Sequence, residues 1–331
     1  MRKYHVYGVG NALVDMEFEV SDEWLSKMGV TKGVMTLVDD EKQRELLNKL
    51  DVFKANKCCG GSAANTIIAV SQLGGDTFYS CKVASDDVGE FYFNDLKAEG
   101  VHTNIGASRP DGVTGKCLVM VTPDAERTMN TFLGITASMG TSELCEDDIK
   151  NSEYVYLEGY LVTSPTGKSA AIKAREIAQA NDVKVAFTFS DPGIVNFFKE
   201  GLIDIMGDKK IDLVFCNEEE AKEFTAQTDV GEAIKTLSNY AHTIVVTRGE
   251  RGAMVYTNQE LMEVPTKKVK PLDSNGAGDL FAGSFLYAIT HGRNLEEATR
   301  LACAASSKLV TQFGARLKKE ELLEIKSQEL N

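Results

Sequence analysis

Val14, Met16, Phe18 and Val20 alternate with Asp15, Glu17 and Glu19. A period of two predicts a strand with one apolar and one wet face. A short apolar run at 6–9 precedes it, and 33–38 reads as another short strand. Helical spacing takes over at 40–50 and at 62–73, where Ala63, Ala64, Ile67, Ile68 and Val70 form the apolar face and Gly74 the stop. A strand at 78–83 and a helix at 87–99 follow. Period two then returns: 113–121 and 127–133 read as β segments joined by the turn Thr122-Pro-Asp-Ala. From Tyr154 onward, strands at 154–157, 183–189, 213–216 and 243–247 alternate with helices at 165–180, 193–207, 218–225 and 230–240. Short strands at 253–256 and 263–264 lead to helices at 277–291 and 295–312.

Alternation at this spacing predicts an α/β fold, a parallel sheet with helices on both faces. The β segments near 14–20, 33–38, 113–121 and 127–133 stand outside it and predict a small separate sheet. The expected organisation is one chain unit over 1–331, an α/β core with a β lid formed by about 12–38 and 104–134. No repeat, low-complexity tract or Pro-rich linker interrupts it.

Composition narrows the partners. A formal net charge of −13 argues against nucleic acid or an anionic membrane, but not against a small anion met by local N–H donors and a metal. The seven cysteines show no CxxC spacing, and Cys58 and Cys59 are adjacent, which reads as reduced thiols. The four histidines have no metal-ligand spacing. Without a signal-like or membrane-length apolar stretch, the expectation is a cytoplasmic chain that takes a small molecule and avoids nucleic acid and membrane.

The chemistry concentrates in a few motifs. Asp273-Ser-Asn-Gly276-Ala-Gly278-Asp279 opens an apolar helix. A glycine-rich turn at a helix N-terminus cradles phosphate with unpaired N–H groups and the helix dipole. A carboxylate there repels phosphate unless it has other work, such as taking a proton from an attacking hydroxyl. Asp279 as a plain first-turn acid is the bland alternative, and the dipole predicts a lowered pKa for it. Gly60-Gly-Ser-Ala-Ala-Asn65 also opens a helix, as a tight turn capped by Ser62 or as bare backbone against a ligand. Asn11 and Asp15 flank the end of the first strand, where an amide and a carboxylate suit vicinal hydroxyls. Asn217-Glu-Glu-Glu220 is a capping box or a water-mediated Mg²⁺ ligand. Thr247-Arg-Gly249-Glu-Arg-Gly252 is a turn or a bare surface for a nucleotide. Two other patterns fail: Leu13 replaces the third glycine of a dinucleotide fingerprint, and Val162 the first glycine of a P-loop ending at Ser169.

These segments resemble the ribokinase (phosphofructokinase-B) family of carbohydrate and nucleoside kinases. Residues 60–65 are similar to its N-terminal signature and residues 273–284 to its more specific C-terminal one. Asn217 and Glu220 are similar to its Asn-x-x-Glu element, and Thr247 and Gly249 to its nucleotide turn, all in the family's order. The spacing of Asn11 and Asp15 and the run 126–133 resemble its prokaryotic adenosine-kinase-like members.

The resemblance implies a ribokinase-like core with a small β lid. It implies ATP- and Mg²⁺-dependent phosphorylation of a primary hydroxyl, foremost the 5′-OH of adenosine. Asp279 would be the base and Gly276, Ala277 and Gly278 the anion hole, with Arg127 reaching the phosphate from the lid. Asn11, Asp15, Gly60, Gly61, Ser62 and Asn65 would hold the sugar. Phe132 and Tyr160 would either partner a base or pack in core and lid. Asn217, Glu220, Thr247, Gly249, Gly252 and Asn275 would serve the nucleotide, Glu220 through Mg²⁺-bound water. A K⁺ site near Asp273 and Gly314 occurs in some relatives. The nearer rival is a kinase for a free sugar, sugar acid or phosphosugar, the last needing basic groups such as Lys32, Arg109 and Lys116. The farther rival is a binding regulator without turnover. The expected state is a monomer, or a homodimer if the lid's edge is covered.

Overall fold

The computed structural model describes residues 2–50, 56–106, 108–124 and 126–330. Ala125 of the expected 122–125 turn, and Ala107 within the expected lid, lie outside them. The strands run β1 (Tyr4–Val9), β2 (Leu13–Glu19), β3 (Met35–Leu37), β4 (Asn56–Gly60), β5 (Thr77–Ser80), β6 (His102–Thr103) and β7 (Thr114–Val121). They continue as β8 (Arg127–Gly134), β9 (Ser152–Glu158), β10 (Lys184–Thr188), β11 (Ile211–Asn217), β12 (Ala241–Thr247), β13 (Ala253–Thr257) and β14 (Glu260–Val264).

Nine strands form one sheet in the order β14-β13-β12-β11-β10-β9-β1-β5-β6. The run from β12 to β6 is parallel, and β13 and β14 add an antiparallel edge. Its strands are apolar on both sides because helices cover both faces. One face packs Tyr156, Phe215 and Val245 under the helices Ser62–Gln72, Ala277–Thr290 and Leu295–Leu309. The other packs Tyr7, Leu157 and Phe187 under Pro165–Ala180, Pro192–Met206 and Glu218–Thr225. The chain leaves β1 toward β5 on one side and reaches β9 on the other. The strand order therefore reverses between β1 and β9, and a crevice opens at their carboxyl ends.

The second sheet has five strands in the order β3-β8-β7-β2-β4. The strand β4, outside the two segments expected, pairs antiparallel with β2 and ends at Gly60, directly before the core helix Ser62–Gln72. Phe18, Val20, Leu118 and Met120 on one face pack with Leu25, Leu46 and Leu50 from the helices Asp22–Lys27 and Asp40–Leu50. The opposite face of β2, expected to be wet, carries the buried Asp15. The helices Asp22–Lys27, Glu146–Lys150 and Lys319–Leu330 and the strands β4 and β6 were not predicted by periodicity. They are short or, like Lys319–Leu330, weakly patterned.

One contact positions the chemistry. A Cβ on Gly283 would lie 2.5 Å from the Thr66 carbonyl oxygen and 2.7 Å from Ala69 Cβ. Glycine lets the helices Ala277–Thr290 and Ser62–Gln72 close together at that point, so their first turns meet.

Candidate active site

At that meeting point Ser62 Oγ donates to Asp279 Oδ1 at 2.6 Å and Asn65 Nδ2 donates to Asp279 Oδ2 at 3.1 Å. Asn65 Oδ1 is buried and has no donor among the described residues. Burial pushes the Asp279 carboxyl up to about 6, over the lowering pull of Ser62 and Asn65. The lowered value expected from the helix dipole is corrected: removal from water outweighs the dipole.

Gly276 caps this helix at φ 70°, and a Cβ there would fall 2.4 Å from the Ala315 carbonyl oxygen, so packing alone requires glycine. Gly278 differs, because a Cβ on it would meet nothing within 4 Å. The protein does not need that glycine for space, whereas a ligand approaching the first-turn N–H groups would.

Facing Asp279 is the acidic side of the small sheet. The Asp15 carboxylate accepts no hydrogen bond among the described residues although the residue is only 7% exposed. Burial pushes its carboxyl up to about 7, with the Arg316 guanidinium opposing. A Cβ on Gly60 would sit 2.2 Å from the Asp15 carboxylate, and one on Gly61 (φ 99°) would sit 2.1 Å from the Asn11 carbonyl oxygen. The two glycines thus let backbone pass close to Asn11 and Asp15.

Asn11 is less free than its expected role requires. Its backbone N–H and its Nδ2 both donate to Glu158 Oε1 at 2.8 Å, and its Oδ1 accepts from Thr136 Oγ1 at 3.3 Å. Glu158 Oε2 accepts from Ala63 N–H at 2.7 Å. Glu158 ends β9 fully buried, and burial pushes it up to about 7 against the donors from Asn11 and Ala63. Sequence reasoning missed it, and its one signal is a carboxylate ending an apolar strand at the sheet's carboxyl edge. It fixes Asn11 to the Gly60–Asn65 turn. Tyr160 follows in the next turn, its hydroxyl raised by burial and by the charges of Asp191, Asp279, Glu158 and Glu220, which places it within this acid cluster.

Phe132 is not brought to the site. It pairs in register with Lys116, which pairs with Val14, on the face turned away from Asp15. Register partners share a face, and the site-facing series is Asp15, Cys117 and Thr131, with Met129 and Arg127 on the same side. The expected aromatic lies one residue out of phase, and Met129, Thr131 and Leu133 take its place. Lys32, Arg109 and Lys116 do not gather: Lys32 pairs with Asp22 and Asp124, Arg109 with Glu90, and Lys116 sits on the far face.

At the ends of β11 and β12 a cleft of about 610 Å³ is lined by Asn217, Thr247 and Gly249, with Lys222, Arg248 and Glu218. Gly249 has φ 56° and open space where a Cβ would be, whereas Gly252 (φ 83°) would press a Cβ to 2.1 Å from the Val264 carbonyl oxygen. Only Gly249 of the pair faces the cleft. Asn217 and Glu220 form a complete capping box: Glu220 N–H donates to Asn217 Oδ1 at 2.8 Å, and Asn217 N–H and Nδ2 donate to the Glu220 carboxylate at 2.8 and 2.9 Å. Burial pushes Glu220 up to about 7, helped by the charges of Asp191, Glu219 and Asp279. Among the described residues no group of three or more His, Cys, Asp or Glu could hold a metal.

Asp273 is wholly shielded. Its Oδ1 accepts from Asn275 N–H at 2.9 Å, and its Oδ2 accepts from Gly314 N–H at 2.8 Å and from Arg127 Nη2. Asn275 thus serves the loop's own turn. A carboxylate already neutralised by a guanidinium and met by two N–H groups does not fit the K⁺ expected near it. Among the described residues no helix is long and apolar enough to cross a membrane.

Comparison with known proteins bears on the family and the fold. Residues 30–322 match the pfkB family carbohydrate kinase. A probable sugar kinase protein from Rhizobium etli CFN 42 superposes with a TM-score of 0.91 at 33% identity, covering 99% of each chain. Adenosine kinase from Sinorhizobium meliloti superposes with a TM-score of 0.90 at 34% identity, covering 98% of this chain and 99% of its own. Adenosine kinase 1 of Arabidopsis thaliana is 27% identical over 93% of this chain and 94% of its own length.

Proposed function

The chain belongs to the pfkB family of carbohydrate kinases, and from that premise we propose that it transfers the γ-phosphoryl group of ATP to the 5′-OH of a nucleoside, adenosine foremost. The observation that carries this reading is Asp279. Its carboxylate is held by Ser62 and Asn65, beside the bare Gly278 and across from the unpaired Asp15.

Asp15 and the orphaned Asn65 Oδ1 are acceptors for sugar hydroxyls. The acceptor oxygen attacks the γ-phosphorus, the bond to the ADP oxygen breaks, and the hydroxyl proton passes to Asp279. A carboxyl near 6 is ionised at neutral pH yet more basic than an ordinary aspartate, which suits a base in a loose transition state with late proton transfer. The N–H groups of Gly278 and Asp279 face charge developing on the phosphoryl oxygens. Arg127 reaches the same group from the small sheet, which acts as a lid excluding water. The nucleotide would lie along the Asn217–Thr247–Gly249 cleft, where Glu220 would hold a Mg²⁺ ion through water and the ion would supply positive charge against the phosphates.

A nucleoside is favoured over a bare sugar by the apolar strip beside Asp15. Met35 and Leu37 pair in register with Met129 and Thr131 on the site face, and Leu37 is 52% exposed. A flat base would cover such a strip, whereas a free sugar would leave it in water. The scattered Lys32, Arg109 and Lys116 remove support for a phosphosugar. Coupled detection of ADP over a panel of nucleosides, pentoses and hexoses tests the reading. Adenosine should give the highest kcat/KM, and turnover confined to free sugars would overturn it.

A further inference from the structure

Arg127, like Asn65, uses only part of its hydrogen-bonding capacity among the described residues. Its side chain is 8% exposed, and Nη2 donates to Asp273 and, at 3.2 Å, to Glu17 Oε1. Its Nε and Nη1 are buried and have no partner among the described residues. A buried donor left without an acceptor costs about 1–3 kcal/mol, more when charged, so such groups need an explanation. Asp273 lies on the loop that leads into the Asp279 helix, while Arg127 and Glu17 belong to the small sheet. A Cβ on Gly314 would be only 3.9 Å from both Glu17 carboxylate oxygens, so the segment that donates to Asp273 also runs against Glu17. Two carboxylates therefore share one guanidinium at the seam between sheet and loop.

We propose that Arg127 is a cation tethered to the fold: its Nη2 end fills the position beside Asp273 that a bound monovalent ion would take, and its Nε–Nη1 edge is held open for the phosphoryl group. Asp273 Oδ2 already meets the Arg127 guanidinium and the Gly314 N–H, and Oδ1 the Asn275 N–H, so a monovalent ion at this carboxylate would compete with a fixed positive charge. Guanidinium suits the task better than a metal ion. It binds two carboxylates with one end and keeps a rigid fork for an anion at the other. The loop is then positioned without K⁺, and loop order is coupled to the small sheet. Only the phosphoryl half of this assignment rests on the kinase reading.

The test separates the two. The ligand-free full chain is melted in N-methylglucamine, sodium and potassium chlorides at equal ionic strength. The wild-type midpoint should be the same in all three. Arg127→Met, which leaves Asp273 and Glu17 facing each other without a cation, should melt lower in N-methylglucamine and gain roughly 3 °C or more from K⁺. Arg127→Lys, which keeps the charge, should fold and remain indifferent to the ion. A wild-type midpoint that rises specifically with K⁺ would overturn the proposal, as would a Met variant no more sensitive to the ion than wild type. Should Arg127→Met not fold, the Lys variant decides, and K⁺ dependence in it overturns the proposal. Wild-type ADP release should likewise be unchanged on replacing K⁺, and K⁺ activation of about fivefold or more counts against the tether. Absence of ADP with every acceptor would sink the kinase reading and leave the melting result standing.

Discussion

Three asparagine–carboxylate pairs sit at the carboxyl edge of the large sheet, and they differ in what they leave unpaired. Asn217 and Glu220 satisfy each other completely as a capping box. Asn11 and Glu158 are nearly as closed, with Ala63 N–H taking the second Glu158 oxygen. Asn65 and Asp279 share one bond, and Asn65 Oδ1 stays buried without a donor. Each pairs an asparagine amide with a carboxylate; the residual valence is not the same. Closed pairs are architecture, and an open pair beside bare backbone is where a ligand completes the network.

The hardest way to break this contrast is Asp279→Asn. The amide keeps the shape and one hydrogen bond to the pair but cannot take a proton. We expect kcat to fall by roughly 10²–10⁴-fold, the span for a lost general base, with the far-UV spectrum unchanged. Near-wild-type turnover would move the chemistry away from the open pair.

pH separates open from closed pairs in a second way. Folding raises the carboxyl of Asp279 to about 6 and those of Asp15, Glu158 and Glu220 to about 7. Their ionised forms are disfavoured in the folded state, so the stability they contribute is present at low pH and is lost as pH rises through about 6–7. Ligand-free stability should therefore increase as pH is lowered from about 8 to about 5. Turnover should do the opposite and fall about tenfold per pH unit below about 6, as Asp279 takes up its proton. Urea midpoints and kcat/KM over one buffer series would show the two trends crossing. A stability maximum above pH 7 would mean that these carboxyls are not as dry as the fold makes them.

The same contrast explains what was legible in the sequence. Periodicity located most elements of the alternating core, where apolar runs are long. It failed at β4 and at Asp22–Lys27, which are short and held by the small sheet rather than by their own pattern. Asp279, Asn65 and the glycines at 60, 61 and 276 were readable because close approach and a helix start constrain local sequence. Glu158 was not, because its partners Asn11 and Ala63 are distant in the chain. Arg316, which opposes the raised Asp15 carboxyl, was hidden in the same way. For Phe132 the sequence keeps a base contact and packing in core or lid both open, because an aromatic on a strand announces its presence but not its face, and register turns it away from Asp15.

Glu158→Gln probes the nearly closed pair. Its amide nitrogen must face either Ala63 N–H or the Asn11 donors, so one buried donor loses its acceptor. We expect a loss of about 1–3 kcal/mol in urea unfolding and a rise in KM larger than the fall in kcat. The deficit should grow as pH is lowered from about 8 to about 5, because the wild-type carboxyl gains stability on taking up a proton and the amide does not titrate. Equal stability of the two proteins at pH 8 would show that the Glu158 network is not under tension.

The smallest effect belongs to the closed pair and is the sharpest on its meaning. Asn217→Ala removes the cap and should cost about 1 kcal/mol, with kcat reduced only slightly. Glu220→Gln keeps a side chain that serves at the same capping-box position but turns its amide nitrogen toward one of the two Asn217 donors, so it should cost about as much. The two variants divide the roles that sequence left joined. A pure cap predicts that the two variants behave alike. A carboxylate acting on nucleotide-borne Mg²⁺ predicts that Glu220→Gln raises the Mg²⁺ concentration needed for half-maximal turnover while Asn217→Ala, of similar stability, does not. Glu220 is buried among the charges of Asp191, Glu219 and Asp279, an arrangement costly without a nearby cation, and this favours the second outcome. If Mg²⁺ dependence is instead the same in wild type and Glu220→Gln, the Asn217–Glu220 pair is architecture alone, and the contrast with Asn65–Asp279 becomes complete.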